Sequence, residues 1–368
     1  MEIYLVGGAV RDAMLGLEGA DRDWVVVGAT PEAMAAQGFQ AVGKDFPVFL
    51  HPVTHEEYAL ARTERKTAPG YRGFVVHADP GVTLVEDLAR RDLTINAMAR
   101  ASDGTLIDPH GGAQDVSQRV LRHVTEAFRE DPVRILRLAR FAARFPDFTV
   151  AEATSQLMRD MVAHGEVDAL VSERVWQELS RGLLSERPSR MLQVLHDCGA
   201  LARLVPEWGD AQPLHEAIDE AARQQAPLAV RWAVVCHRLQ EATLAALHER
   251  LRVPVPCREL AEVLVREQAA LREPAALSPQ EVLALLHRCD AFRRPERLSD
   301  VFWAMAVLHP HARVRVLGAQ WLQAALGVAS ADISRAALAE GLKGPAIGAR
   351  IDAARLTALQ GAVTPSTQ

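Results

Sequence analysis

The pattern of apolar residues changes once along this chain of 368 residues, close to Thr125. Before that point, short apolar runs typical of β-strands alternate with segments of helical spacing. After it, Leu, Ala and Val recur at i, i+3 and i+4, and prolines break the run into successive helices. The sequence therefore predicts an α+β protein, in which a small mixed-sheet domain is followed by an all-helical region.

Composition and charge exclude several classes of protein. The net charge of −6 argues against a broadly basic nucleic-acid-binding surface, so any RNA contact must come from local patches. No apolar stretch is long enough to span a bilayer, and the N-terminus lacks the basic segment of a signal peptide. The cysteines lie far apart and predict buried thiols of a reduced, cytoplasmic protein: Cys198, Cys236, Cys257 and Cys289.

Two aspartates precede an apolar run in residues 21–27, which read DRDWVVV. On a strand, residues two apart share one face, so Asp21 and Asp23 are expected to present their carboxylates to the same side. Two carboxylates together with substrate phosphates are a typical environment for Mg²⁺. The pair therefore predicts a metal site for phosphoryl chemistry, although a solvated turn or a charge that protects a sheet edge is the alternative interpretation.

Two segments near this pair predict phosphate contacts. Gly7 and Gly8 separate a short strand from a helix, an arrangement that lets backbone N–H groups face an anion, and Arg11 would add charge-assisted hydrogen bonds. Arg91, which belongs to the sequence RRD at 90–92, is a candidate phosphate clamp. Each segment also has a purely structural interpretation, as a tight turn and as a solvated helix face respectively.

The remaining elements of the first domain follow from local signals. Residues 47–51 and 57–62 predict a β-hairpin, and residues 120–124 predict the last strand of the domain. Residues 63–80 are rich in Gly, Lys and Arg and predict a mobile loop beside the site.

Residues 130–144 predict a helix with an arginine-rich face. Arg134, Arg137 and Arg140 recur every three residues and Arg144 follows four residues later, so they line one surface. Apolar residues between them supply the buried stripe, and Asp131-Pro132 forms a typical helix start. A solvated surface helix is the alternative interpretation.

The start of this helix also predicts nucleotide selection. Cytosine and adenine each offer an exocyclic amine beside a ring nitrogen acceptor, whereas uracil and guanine present a carbonyl in place of the amine. Asp131 could accept from the amine while Arg134 donates to the ring nitrogen. This pair would select C and A without a nucleic-acid template, and Arg137 and Arg140 would hold phosphates or stack on the base.

Taken together, these segments resemble class II tRNA nucleotidyltransferases, the CCA-adding enzymes of the polymerase β superfamily. The resemblance is carried, in the family's order, by residues 5–12 (LVGGAVRD), 21–23 (DRD), 90–97 (RRDLTINA), 108–115 (DPHGGAQD), 130–134 (EDPVR) and 174–179 (RVWQEL). Six motifs in this order are much more specific than any one of them alone.

The resemblance implies a nucleotidyltransferase head at 1–122, a helical neck at 123–185 and a helical body and tail at 186–368 that grips the tRNA acceptor arm. It places catalytic Mg²⁺ on Asp21 and Asp23. It places the incoming ATP or CTP on the following residues: Gly8, Arg11, Arg91, Asp131, Arg134, Arg137 and Arg140. The implied reaction adds C, C and A to the 3′ end of tRNA and releases pyrophosphate.

The second half departs from the bacterial relatives that carry an HD phosphohydrolase domain. Where those relatives have His-Asp, this chain has His237-Arg238, and arginine does not ligate a metal. Phosphohydrolase activity is therefore predicted to be absent. A poly(A) polymerase, or an enzyme adding only A or only CC, shares the head motifs and is an alternative, as is a non-catalytic RNA-binding protein on this fold.

Overall fold

A computed structural model of the chain describes residues 1–18, 21–42, 47–66, 74–209 and 214–363. The chain forms two compact units, one ending at Pro206 and the other beginning at Glu207. This division differs from the boundary predicted after residue 185, because the helix Pro188–Asp197 packs on the helix Val133–Arg144 of the first unit. The predicted boundary after residue 122 stays a prediction.

The first unit contains a mixed β-sheet. Its strands, and those of two small separate sheets, are β1 (Glu2–Val6), β2 (Asp23–Val27), β3 (Gln40–Ala41), β4 (Val48–Leu50), β5 (Glu57–Leu60), β6 (Thr63–Lys66), β7 (Phe74–His77), β8 (Ala99–Arg100), β9 (Leu106–Ile107), β10 (Val120–Leu121) and β11 (Thr149–Val150). The main sheet has the order β3-β4-β5-β2-β1-β8-β9. Strand β2 runs antiparallel to β1 and parallel to β5, which places it near the middle of the sheet.

Both faces of this sheet are covered, which explains the unbroken apolar run of β2. Val25 packs in one cluster with Val6 and Leu88, and Val26 packs in a second cluster on the opposite side. The second cluster also contains Met34 of the helix that follows. Burial on both faces fixes the register of β2, because a slip by one residue would exchange its two faces.

Three sequence predictions about strands need correction. Strand β2 begins at Asp23, so Asp21 lies two residues before the strand and not on it. Within residues 63–80, the antiparallel strands β6 and β7 replace the predicted loop, while residues 67–73 lie outside the described residues. Strand β10 pairs with β11, which lies beyond Thr125 where only helices were expected. The predicted hairpin of β4 and β5 is confirmed.

Helices complete the first unit: α1 (Gly8–Met14), α2 (Pro31–Ala36), α3 (Leu84–Ala89), α4 (Gly112–Gln118), α5 (Val133–Arg144), α6 (Glu152–Ala163), α7 (Ser172–Leu183), α8 (Pro188–Asp197) and α9 (Ala200–Leu204), with 3₁₀ turns at Thr94–Asn96, Glu126–Glu130 and Glu166–Ala169. A further 3₁₀ turn, Pro206–Trp208, begins at the last residue of this unit. The apolar stripe of α5 is buried against α7 and α8, as its spacing predicts. Helix α5 begins at Val133, with Pro132 as its N-cap, so Asp131 lies two residues before the first helical residue.

The second unit is helical throughout its described residues. Its helices are α10 (His215–Arg223), α11 (Leu228–Cys236), α12 (Glu241–Arg250), α13 (Val255–Leu271), α14 (Pro279–Arg288), α15 (Pro295–Leu308), α16 (Val314–Leu326), α17 (Ser330–Ala339) and α18 (Pro345–Val363), with 3₁₀ turns at Pro274–Ala276 and Pro310–Ala312. All four cysteines are free and buried, as predicted. In the part of the chain that the structure describes, no helix has the length and apolarity needed to cross a membrane.

Candidate active site

An arginine-rich pocket of about 520 Å³ lies between the sheet and helix α5. Its arginines are Arg11, Arg62, Arg90, Arg91, Arg134, Arg137, Arg140, Arg144 and Arg174, and its carboxylates are Asp23, Glu57, Asp92 and Asp131. The positive charge suits a polyphosphate, because guanidinium groups form paired hydrogen bonds with phosphate oxygens. The predicted site residues meet here, except Asp21, which is not among the described lining residues.

A glycine turn forms the floor of this pocket. Gly7 has φ of 68°, in the region that favours glycine, and a Cβ atom there would stand 3.0 Å from Arg91 Nη1. Gly8 begins α1 and lines the pocket. The prediction of a strand, a glycine turn and a helix is therefore confirmed, and the missing side chain at Gly7 lets the Arg91 guanidinium approach the turn closely.

Asp23 lies at the start of β2, next to this turn. Its sheet partners are Val6, directly before the glycines, and Glu57 at the start of β5. Residues paired across strands share a face, so the carboxylates of Asp23 and Glu57 point to the same side. Asp23 keeps an exposed surface, but partial desolvation, together with the charges of Glu57 and Asp21, raises its pKa, and Arg91 opposes this effect only partly.

This group of carboxylates fits a metal ion that needs further ligands from its substrate. Within the described residues, no three carboxylate, imidazole or thiolate groups are close enough to hold a metal unaided. Mg²⁺ is usually bound by one or two carboxylates plus phosphates and water, which agrees with this geometry. The pKa of Asp23 is raised by desolvation and by the neighbouring charges of Glu57 and Asp21, and a divalent cation at this position would act in the opposite direction.

Arg91 is held in the pocket by a buried carboxylate at the end of α3. Arg91 Nη2 donates to Asp87 Oδ2 at 3.1 Å, and Arg90 Nη2 donates to Asp87 Oδ1 at 2.6 Å. Asp87 is fully buried, which by itself would raise its pKa. The two arginines outweigh this effect, so the pKa of Asp87 is lowered overall. Arg91 Nε is buried without a hydrogen-bond partner in the described structure, a donor that a bound phosphate could satisfy.

Two arginines of α5 are also held by acidic residues. Arg137 Nε donates to Asp92 Oδ2 at 2.7 Å, and Arg140 Nε donates to Glu178 Oε2 at 2.6 Å. Burial opposes ionisation of Asp92, but Arg137 and Asn96 hold its pKa well below the usual range. The prediction that the arginines of α5 share one surface is confirmed, because all four line the pocket.

The predicted base-reading pair is engaged in other contacts. Asp131 accepts two hydrogen bonds from Arg174, at 3.0 and 2.7 Å, and a third from the backbone N–H of Val133 at 3.2 Å. A carboxylate has about four acceptor positions, so one position on Oδ2 remains. Arg134 donates to the carbonyl oxygens of Ala127 and Arg90, each at 2.7 Å. Both residues line the pocket, and their roles in selection stay predictions.

Four residues at or beside the pocket were not predicted from the sequence: Glu57, Asp87, Arg174 and Glu178. Glu57 becomes visible only through the parallel pairing of β5 with β2. Arg174 and Glu178 do lie in the segment 174–179 that carries the resemblance, and their spacing of four places both on one side of α7. Their partners, Asp131 and Arg140, lie more than 35 residues away in the sequence, so no local pattern links them.

Two family models and many relatives match this chain. Residues 3–122 match the poly A polymerase head domain, and residues 147–211 match the probable RNA and SrmB-binding site of polymerase A. The multifunctional CCA protein of Verminephrobacter eiseniae is 53% identical, with 98% of each chain covered.

Solved structures show the same fold. The Bacillus stearothermophilus CCA-adding enzyme in complex with CTP has a TM-score of 0.73 at 24% identity, covering 98% of this chain and 89% of that one. The Thermotoga maritima CCA-adding enzyme complexed with tRNA has a TM-score of 0.70 at 21% identity, covering 98% and 87%. Given this fold, the geometry of the pocket and the identity to the Verminephrobacter protein, the chain belongs to the CCA-adding tRNA nucleotidyltransferase family, together with the multifunctional CCA proteins.

Proposed function

We propose that this protein adds C, C and A to the 3′ end of tRNA from CTP and ATP, without a nucleic-acid template. The observation that carries the proposal is the meeting of Asp23, the glycine turn and the arginine wall of α5 in one pocket. Carboxylates for a metal, donors for a triphosphate and a carboxylate at the start of α5 are the groups that this reaction requires. The buried, unpaired cysteines are consistent with a cytoplasmic protein.

Nucleotidyltransferases use a divalent metal ion, and we propose Mg²⁺ on Asp23 and Asp21, with Glu57 beside them. Bound there, the ion would neutralise phosphate charge and lower the pKa of the tRNA 3′-hydroxyl. The 3′ oxygen attacks the α-phosphate of the nucleotide, the bond to the β-phosphate breaks, and pyrophosphate leaves with the electron pair.

The residues of this chain would position the nucleotide at both ends. Arg91 and Arg11 would hold the triphosphate beside the glycine turn, with Arg137 and Arg140 on the phosphates or the base. At the start of α5, Asp131 would accept from the exocyclic amine of cytosine or adenine, and Arg134 would donate to the ring nitrogen.

The test is to incubate the purified protein with tRNA that lacks its 3′ end, Mg²⁺, and each nucleoside triphosphate singly and in combination. Sequencing of the products should show CCA when CTP and ATP are present together. Addition of A alone, of CC alone, or of long A tracts would instead identify one of the related enzymes. Binding of tRNA without any extension would support a non-catalytic RNA-binding protein.

We also expect no metal-dependent phosphohydrolase activity. His237 caps the end of α11 and its Nδ1 donates to the carbonyl oxygen of Val234 at 2.7 Å, while Arg238 takes the place of a metal-binding aspartate. The pure protein should release no phosphate from p-nitrophenyl phosphate or from 2′,3′-cyclic nucleotides above a blank containing Mg²⁺, Mn²⁺ or Ni²⁺. Release that disappears on chelation would contradict this expectation.

A further inference from the structure

One buried carboxylate joins the glycine-turn helix to the far end of α5. Asp12 of α1 is 2% exposed and accepts from Arg11 Nε at 2.8 Å through its Oδ1. Its other oxygen, Oδ2, accepts from Arg144 Nη2 at 2.8 Å, across 132 residues of sequence. Both arginines line the nucleotide pocket. Asp12 therefore holds two pocket cations through the two oxygens of a single side chain.

Without that carboxylate the two cations would repel each other. Arg144 is close enough to lower the pKa of Arg11, an effect that adds to the larger effect of burial. The guanidinium carbons of Arg11 and Arg144 lie 5.0 and 5.1 Å from the centre of the same ring, that of Phe145. An aromatic face attracts each cation but compensates neither, so the main compensation comes from Asp12, which contacts both arginines, while Asp92 adds a weaker effect on Arg11.

The pair lies on the phosphate side of the pocket. A Cβ atom at Gly8 would stand 3.4 Å from Arg11 Nη2, so this guanidinium borders the glycine turn. Arg144 is the last residue of α5, whereas Asp131 precedes the first. At 1.5 Å per residue, the helix separates the predicted base-reading end from this pair by roughly 17 Å.

We propose that Arg144 is a further phosphate-binding residue and that Asp12 is the positioning residue that holds Arg11 and Arg144 together for the polyphosphate of the nucleotide. This inference rests on the proposed function, because it assigns one end of the same pocket to the triphosphate. Asp12 does not contact the reacting atoms. It acts by keeping two guanidinium groups side by side, where each can donate to phosphate oxygens.

The test compares wild-type protein with the Asp12→Asn variant in steady-state nucleotide addition. The variant should raise KM for CTP and for ATP by a similar factor, about 10- to 100-fold, the range expected for hydrogen bonds to charged groups. Since the base-reading end is unchanged, kcat and the discrimination against UTP should stay within about threefold of wild type. Pyrophosphate should inhibit the variant correspondingly less.

Asp115 provides a matched control. It is equally buried, accepts from Thr94 Oγ1 at 2.7 Å and pairs with Arg122, but neither Asp115 nor Arg122 is among the described lining residues of the pocket. Asp115→Asn should lower the melting temperature while leaving KM near wild type. If both variants raise KM alike, or if Asp12→Asn leaves KM unchanged, the proposed role of Asp12 is wrong.

Binding of inorganic tripolyphosphate, measured by calorimetry without tRNA, separates this inference from the proposed function. Arg144→Gln, at a half-exposed position, should weaken this binding even if Asp12→Asn fails to fold. In the double variant the two losses should add only in part, because Asp12→Asn already releases Arg144 as well as Arg11. Unchanged tripolyphosphate affinity in Arg144→Gln would overturn the inference. Normal tripolyphosphate binding by a wild-type protein that never extends tRNA would instead overturn the proposed function.

Discussion

Replacing Asp23 with asparagine should abolish nucleotide addition and, at the same time, raise the melting temperature of the protein in metal-free buffer. The loss of activity should reach about 10³-fold or more, which corresponds to roughly 4 kcal/mol of transition-state stabilisation by a metal held at the reacting phosphate. Single-turnover extension of tRNA with saturating CTP measures this loss. Saturation matters because it separates a defect in chemistry from weaker nucleotide binding.

The gain in stability follows from the direction of the pKa shift. Burial and the charges of Glu57 and Asp21 raise the pKa of Asp23 above its unfolded value. Between the two pKa values the folded state therefore binds more protons than the unfolded state, so stability falls as pH rises through this window. At neutral pH the ionised Asp23 is therefore a cost to the fold, reduced by solvent screening because Asp23 is exposed, and asparagine removes it. Thermal unfolding in EDTA should show the higher melting temperature, and added Mg²⁺ should stabilise only the wild type.

Asp103 is a control, because its pKa is shifted in the direction opposite to that of Asp23. The backbone N–H of Thr105 donates to Asp103 Oδ1 at 2.9 Å, and this contact lowers the pKa of Asp103. Asp103→Asn should therefore leave activity unchanged and lower the melting temperature slightly at neutral pH. If Asp23→Asn retained a tenth of wild-type activity, the assignment of the metal ligand would be wrong. If it melted below wild type in EDTA, the electrostatic argument would be wrong.

The contrast between Asp23 and Glu57 shows what the sequence could and could not predict. Asp23 and the glycine turn are each recognisable from neighbouring residues, since a strand end and a strand-to-helix turn are local structures. Glu57 lines the same pocket as Asp23, but its place beside Asp23 depends on the parallel register of β2 and β5. Register of this kind is decided by packing on both faces of the sheet, which no local pattern reports.

The arginines of α5 show the same limit at the level of side-chain partners. Helical spacing predicts that they share a face, and the structure confirms it. Three of these arginines form ion pairs with acidic residues from other parts of the chain: Arg144 with Asp12, Arg137 with Asp92 and Arg140 with Glu178. The spacing of the arginines alone could not predict these partners. The strand β11 escaped prediction for a simpler reason, because two residues are too few to display alternation.

Replacing Asp131 with asparagine should relax, and partly invert, the choice of nucleotide. Arg174 and Val133 donate to the carboxylate of Asp131 and leave one acceptor position on Oδ2. The oxygen of asparagine can keep the hydrogen bonds of Oδ1 from Arg174 Nη1 and Val133, and its NH₂ group then takes the place of Oδ2. This exchange breaks the bond from Arg174 Nη2 and presents a donor, which binds a carbonyl such as that of uracil. The ratio of kcat/KM for CTP to that for UTP should fall by about 10- to 100-fold, the value of one good base contact. Extension of tRNA lacking its 3′ end with each nucleotide alone measures this ratio.

Two further variants separate recognition from a general loss of structure. Asp131→Ala should also lower the ratio, but without the gain in UTP use, because alanine offers neither donor nor acceptor. Glu126→Ala is the matched control, since Glu126 pairs with Arg129 on an exposed turn a few residues away and is not among the described lining residues of the pocket. It should leave both activity and selectivity unchanged. Neither Asp131 variant retains the carboxylate that would repel the carbonyl of uracil. Selectivity that survives in both variants would therefore show that another group reads the base.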